Sequence, residues 1–260
     1  MAVLNATPDS FSGDGLAATP EALVARASQA LDEGADLLDL GAESTRPGAT
    51  PVPVDEELAR VSAVLPALVA AVQAPLSIDT RRPRVADFAL SAGAVVLNDV
   101  SGLAEPELAD VAAERGAYLV LTHNGWTTGR RGSDIVEDVV STLLHLAETA
   151  SVRGVAANRL VCDPGLGFGK RPEASLRLLR RMAELHARLV PLPLLVGASR
   201  KGFIGHVLGL AVDDRLEGSL ACATVATLAG ASVIRAHDVR PNVRAVRMAW
   251  AIRGGESSPM

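Results

Sequence analysis

Eight times along the chain a short apolar run ends in a polar or ionisable residue, enters a loop, and gives way to an amphipathic stretch. The clearest copy is Val161-Cys162-Asp163-Pro164-Gly165-Leu166-Gly167-Phe168-Gly169-Lys170, where a buried strand delivers Asp163 and the glycines let backbone approach a neighbour closely. One such turn is ordinary, because Asp and Gly are common turn residues. Eight in series constrain the fold. Strands apolar on both faces need cover on both faces, which a parallel sheet wrapped by helices supplies. Eight strand–helix units in 260 residues predict an α/β fold, a single closed (β/α)8 TIM barrel over residues 1–252, with 253–260 a flexible tail. An open doubly wound sheet is the alternative, but no G-x-G-x-x-G turn follows the first strand.

The strands are expected at Met1 to Asn5, Asp36 to Leu40, Leu76 to Ile78, Val95 to Leu97, Tyr118 to Leu121, Leu160 to Cys162, Leu194 to Val196, and Val233 with Ile234. Helices are expected from Thr19 or Pro20 to Glu33, Asp55 to Val72, Pro83 to Ala92, Pro106 to Arg115, Asp134 to Val152, Pro172 to Leu189, Asp213 to Leu228 and Pro241 to Ile252. Asp32-Glu33-Gly34, Glu114-Arg115-Gly116 and Leu228-Ala229-Gly230 read as helix C-caps.

Composition narrows the partners. At 48% hydrophobic and 21% charged the chain can bury a sizeable core, and it has no apolar run long enough for a membrane helix. A net charge of −5 without a basic block argues against nucleic acid. Cys162 and Cys222 are too few for a disulfide framework, and Met1-Ala2-Val3-Leu4 carries no charged leader, so a cytoplasmic location is expected. Lysine occurs only at Lys170 and Lys201, both in Gly-rich loops.

A barrel builds its site at the C-terminal ends of its strands. Those ends carry Asn5, Glu43 with Thr45 and Arg46, Asp79, Asn98, His123, Asp163, Ser199 with Lys201, and Arg235 with His237, while the opposite loops are plain. Asp79, Asn98 and Asp163 suit a flat heterocycle rich in N–H donors, since a carboxylate can accept paired bonds from an amino-pyrimidine edge. Ser199, Lys201, Arg235, His237, Asn5 and Arg46 favour an anion, and the loops after strands seven and eight are the usual barrel phosphate site. A substrate joining a heterocycle to a phosphate or pyrophosphate satisfies both zones. Metal ligation by Asp79, Asp99, Asp163 and His123 competes with this reading, although no H-x-H pair occurs at strand one. Mg2+ held by pyrophosphate oxygens and one or two side chains fits better.

Leu4-Asn5-Ala6-Thr7-Pro8-Asp9-Ser10-Phe11-Ser12, Gly41-Ala42-Glu43-Ser44-Thr45-Arg46-Pro47-Gly48, Asn98-Asp99-Val100-Ser101-Gly102, Asp163-Pro164-Gly165-Leu166-Gly167-Phe168 and Ser199-Arg200-Lys201 closely resemble the dihydropteroate synthase family. The match runs in order through Arg235-Ala236-His237-Asp238-Val239, and the first two motifs together carry its specificity. The resemblance implies a (β/α)8 transferase of folate biosynthesis. It would join p-aminobenzoate to 6-hydroxymethyl-7,8-dihydropterin pyrophosphate with Mg2+, giving 7,8-dihydropteroate and pyrophosphate, as a cytoplasmic homodimer and sulfonamide target.

Carried over residue by residue, the resemblance gives Asp79, Asn98, Asp163, Phe168 and Lys201 to the pterin. It gives Asn5, Arg46, Arg235 and His237 to the pyrophosphate, with Asn5 also toward Mg2+. Phe11, Thr45, Pro47, Phe168, Ser199 and Lys201 would line the p-aminobenzoate slot. The implied catalytic set is Asp79, Asp163, Lys201, Arg235 and His237 in a dissociative substitution, and Asp163→Asn is expected to lose far more rate than Lys170→Ala. Pterin-binding methyltransferases share the barrel but lack the Ser44–Gly48 and Ser199–Lys201 loops. An inactive pterin-binding paralogue is the remaining alternative.

Overall fold

Alternation along the strands sorts the side chains into two environments, and the architecture follows from that sorting. A computed structural model describes residues 1–6, 19–43, 50–129 and 134–254. In chain order it contains β1 (Ala2–Asn5), α1 (Pro20–Asp32), β2 (Leu38–Gly41), α2 (Val54–Ala71), β3 (Leu76–Asp79), α3 (Pro83–Ser91), β4 (Val96–Asp99), α4 (Glu107–Glu114) and β5 (Tyr118–Thr122). There follow α5 (Ile135–Val152), β6 (Leu160–Asp163), α6 (Pro172–Arg180), α7 (Met182–Leu189), β7 (Leu195–Val196), α8 (Gly202–Leu208), α9 (Leu216–Leu228), β8 (Val233–Ile234) and α10 (Val239–Ile252).

Strands β1 to β6 pair in sequence order as one parallel sheet, and β7 pairs with β8. Single parallel bridges, Cys162 to Leu194 and Ala2 to Ala236, join the two pieces into a ring. Those seams carry real hydrogen bonds: Cys162 N–H donates to Pro193 O at 2.9 Å and Ala236 N–H to Met1 O at 3.0 Å. The eight-stranded barrel expected from the sequence is therefore present, closed by bridges rather than full ladders at two of its eight seams.

Outward residues such as Leu4, Leu38, Leu40, Ile78, Leu97, Leu119, Leu121, Cys162 and Val196 pack with the helices in one large apolar cluster. Inward residues Val96, Val120 and Leu195, with Met1, Leu37, Val161 and Val233, form a second, small cluster inside the barrel. Above that plug the inward positions turn polar, so the lumen has an apolar base and a polar top. Local signals set the helices. Thr19 and Asp134 cap α1 and α5, with Asp134 accepting from Val136 N–H at 2.8 Å and Glu137 N–H at 2.9 Å. Gly34, Gly116 and Gly230 follow helix ends at positive φ, as the C-caps require.

Three helix expectations change. The expected helix from Pro172 to Leu189 breaks at Arg181 into α6 and α7. Its apolar spacing continues across the break through Leu178, Met182, Leu185 and Leu189, so periodicity cannot reveal it. The helix expected from Asp213 starts at Leu216, behind a 3-10 turn at Val212–Asp214. Residues 202–208, read as loop, form α8. Gly202 and Gly205 hid it by their low helix propensity, but Gly205 lies against the Arg215 guanidinium, where a side chain would collide.

Candidate active site

The site is built on inward positions at the top of the barrel. Register places Asn5, Gly41, Asp79 and Asn98 side by side across β1 to β4. Asn98 aligns with Val120 and Thr122 with Asp163, so Asp163 stands one inward step higher. Asp79, Asn98 and Asp163 are all buried. Burial pushes the Asp79 carboxyl up to about 7, with the Asp39 charge adding to the rise and Arg235 opposing it. Burial also raises Asp163, although Asp163 Oδ1 accepts from Gly165 N–H at 2.7 Å.

Arg235, directly after β8, crosses the lumen. Its Nε donates to Asp39 Oδ2 at 2.6 Å and its Nη2 to Asp79 Oδ2 at 2.7 Å. Burial works against the Arg235 charge, yet Asp39 and Asp79 hold its pKa above the ordinary arginine value. Asn98 Nδ2 donates to the same Asp39 oxygen at 3.1 Å. Lys201 faces Asp163 and Asp79 from the loop after β7. Burial lowers its ammonium to about 8 against the pull of Asp163, and Nζ sits 3.9 Å from the Phe168 ring centroid.

On the anion side, Ser199 Oγ accepts from His237 N–H at 3.2 Å and lies 3.2 Å from His237 Nδ1. Arg200 holds φ of 57° and turns away from the lumen to grip Asp238 with two bonds, at 2.6 and 3.0 Å. Glu43 binds Arg81 through two bonds and accepts Val52 N–H at 3.0 Å. It therefore ties the chain on either side of residues 44–49 rather than facing the lumen. Phe11, Thr45, Arg46 and Pro47 lie outside the described residues.

Two residues of the competing metal set are turned outward by parity. His123 follows the inward Thr122, so it points out of the lumen, where it is buried between Lys170 and Asp138. Asp99 is also outward, and its carboxylate accepts from Ser101 N–H, Ser101 Oγ and Leu103 N–H to fold its own loop. The competing metal set of Asp79, Asp99, Asp163 and His123 therefore does not converge. Among the described residues no three His, Cys, Asp or Glu side chains are grouped to hold a metal.

A family model described as a pterin-binding enzyme matches residues 1–237. The chain is also similar to the dihydropteroate synthase of Escherichia coli strain K12, 39% identical over 256 residues that cover 96% of this chain and 90% of the relative. The chain belongs to the dihydropteroate synthase family. Among solved structures, Xanthomonas albilineans dihydropteroate synthase with 4-aminobenzoic acid matches with a TM-score of 0.90 at 40% identity, covering 98% of this chain and 93% of that one. Yersinia pestis dihydropteroate synthase in a sulfonamide drug complex matches at 0.89 and 38%, covering 98% and 94%.

Two residues of this family member escape a reading by strand ends. Asp39 lies mid-strand, and its signal is a charge inside an apolar run, two positions before Gly41. Lys170 carries a different surprise. Its Nζ donates to the carbonyls of His123 and Gly165 at 2.9 Å and of Phe168 at 3.2 Å, and lies 2.7 Å from His123 Nδ1. It thereby stitches the loop after β6 to the loop after β5. Burial, reinforced by the Lys170 charge, lowers His123 to about 4, so its neutral ring can accept at Nδ1. The glycines make the seam possible. A side chain at Gly165, where φ is 65°, would strike the His123 oxygen, and a Cβ on Gly125 would lie 2.9 Å from Gly169 O.

Proposed function

We propose that the chain catalyses the reaction its family name describes. Pyrophosphate departs first from 6-hydroxymethyl-7,8-dihydropterin pyrophosphate with the electron pair of the broken C–O bond, and the p-aminobenzoate nitrogen then attacks the methylene carbon and loses a proton to solvent. The observation that carries this reading is the buried trio of Asp79, Asn98 and Asp163 with Arg235 and Lys201 set among the carboxylates. Asp163 and Asn98 take N–H donors of the pterin edge. As the C–O bond lengthens, positive charge spreads into the ring, and Asp79 and Asp163 stabilise it where water is scarce. Arg235, His237 and Arg46 hold the departing anion. Phe168, Ser199 and the stem of Lys201, with Phe11, Thr45 and Pro47, form the arylamine slot, for which sulfonamides compete.

Mg2+ suits the donors present. Asn5 ends β1 with an amide bonded to no described residue, and magnesium commonly takes one or two protein oxygens while keeping water and phosphate oxygens. Once bound it would neutralise pyrophosphate charge. Several features support a cytoplasmic homodimer. Both cysteines are free thiols, and among the described residues no helix is long and apolar enough to cross a membrane. Val225 and Leu228 on α9 with Met248, Trp250 and Ile252 on α10 expose apolar surface that a second copy would cover. The test of the reaction is pyrophosphate release with Mg2+, with and without p-aminobenzoate. Release should require p-aminobenzoate and fall about 10³-fold in Asp163→Asn; pterin binding without any release would end the synthase reading.

A further inference from the structure

Asp39 is a buried carboxylate on an apolar strand, a placement strongly disfavoured unless the charge is paired. Its side-chain hydrogen bonds to described residues all go to two site residues. Oδ2 accepts from Arg235 Nε at 2.6 Å and from Asn98 Nδ2 at 3.1 Å, while Oδ1 has no partner among the described residues. Register puts Asp39 beside Val3 and Ser77, one inward step below the level of Asp79 and Asn98. It thus lies beneath the layer that receives the pterin rather than in it.

Two consequences follow from this geometry. The Arg235 guanidinium is fixed by a carboxylate at Nε and another at Nη2, which sets its plane and leaves Nη1 bonded to no described residue. The Asn98 amide, with its nitrogen committed to Asp39, must turn its carbonyl oxygen the other way. We propose that Asp39 is a positioning residue of the synthase reaction: it locks Arg235 in place and fixes the Asn98 amide so that its oxygen meets an N–H donor of the pterin. This rests on the proposed function for what the site binds, but the role itself is read from the three-residue contact.

The charge arrangement gives a readout that a merely structural role would not move. Asp79 pairs with Arg235, just after β8, and feels the charges of Asp39 on β2, Glu57 on α2, the outward Asp99 on β4 and Lys201 in the loop after β7. Neutralising Asp39 removes a like charge from Asp79 and leaves Arg235 to pair with it alone. Both changes favour the ionised Asp79, so the acidic limb of the kcat/KM profile should move to lower pH.

The experiment is steady-state kinetics of Asp39→Asn, which keeps the side-chain volume, and of Asp39→Ala alone and combined with Arg235→Ala, with calorimetric binding of the pterin pyrophosphate alongside. Asp39→Asn should lower kcat by about 10- to 100-fold, since small misplacements of positioned groups cost that much, with the KM for p-aminobenzoate changed by less than about threefold. The penalty of Asp39→Ala should shrink at least severalfold once Arg235 is already alanine, leaving only the part that acts through Asn98. Wild-type kcat and an unmoved acidic limb in Asp39→Asn, or an equal penalty in both backgrounds, would overturn the proposal. If the wild-type protein released no pyrophosphate, the synthase reading would fail by itself. Pterin affinity would then decide the Asp39 role: a drop of about tenfold in Asp39→Asn supports it, and unchanged affinity ends it.

Discussion

Lys170 and Lys201 both follow glycine-rich loops at the top of the barrel, and burial lowers both ammonium groups, Lys170 to about 7 and Lys201 to about 8. Their surroundings differ in what is already bonded. Lys170 meets three carbonyls and the His123 ring, four acceptors for three hydrogens. The Lys201 ammonium makes no hydrogen bond to a described residue and rests on the Phe168 ring, within the field of Asp163 and Asp79. The first is committed to the protein's own backbone, and the ammonium of the second is uncommitted among the described residues, as its proposed role toward a ligand requires. Loop chemistry alone does not separate a structural lysine from a functional one; the acceptors around each do.

The largest effect should fall on Lys201, the lysine proposed to face the ligand. Lys201→Met is expected to lower kcat/KM by about 10²- to 10³-fold while thermal unfolding stays near wild type, because it removes a preorganised donor without unseating a loop. Equal thermal losses in Lys201→Met and Lys170→Met would break the comparison. Next comes the stability of Lys170→Met. It strips buried carbonyls of their donor, at a cost of about 3 kcal/mol, which for a chain of this size lowers Tm by about 6–12 °C in calorimetry.

Lys170→Met should touch catalysis more lightly, through the Phe168 wall. The KM for p-aminobenzoate is expected to rise about three- to tenfold with kcat within about threefold, and a kcat loss matching that of Asp163→Asn would refute the distinction. The smallest effect concerns pH. With Lys170 near 7 in the folded protein and near 10.5 unfolded, the unfolded state holds the extra proton between those values. Stability therefore rises with pH across that window and is lost as pH falls through 7, by at most about 1.4 kcal/mol per unit for one group. Denaturant titrations of Lys170→Met between pH 7 and 9 should show a flatter rise than wild type, the remainder coming from Lys201.

Much of this was legible from residues alone. The eight strand ends and their polar tips marked the barrel and the buried trio Asp79, Asn98 and Asp163, since a carboxylate closing an apolar run is a strong local signal. His123 and Asp99 carried the same signal and do not face the lumen. They sit one residue away from inward positions, and a strand-end reading that ignores parity treats Thr122 and His123, or Asn98 and Asp99, alike. Asp39 was hidden for the opposite reason: it stands inside a strand, before the strand end that a rim reading inspects. The break at Arg181 was hidden because it leaves the apolar spacing unchanged, and α8 because Gly202 and Gly205 read as loop.

The sequence by itself determined the alternation of strand and helix, the apolar cover on both faces of each strand, and the residues offered at the barrel's top. These depend on neighbours along the chain, which hydrophobic period and turn chemistry record directly. Tertiary structure alone decided which parity faces the lumen, which carboxylates share Arg235, and that Lys170 answers to three main-chain oxygens. Ring closure brings β8 against β1 across more than 200 residues of sequence, and a backbone carbonyl has no letter in the sequence to announce it.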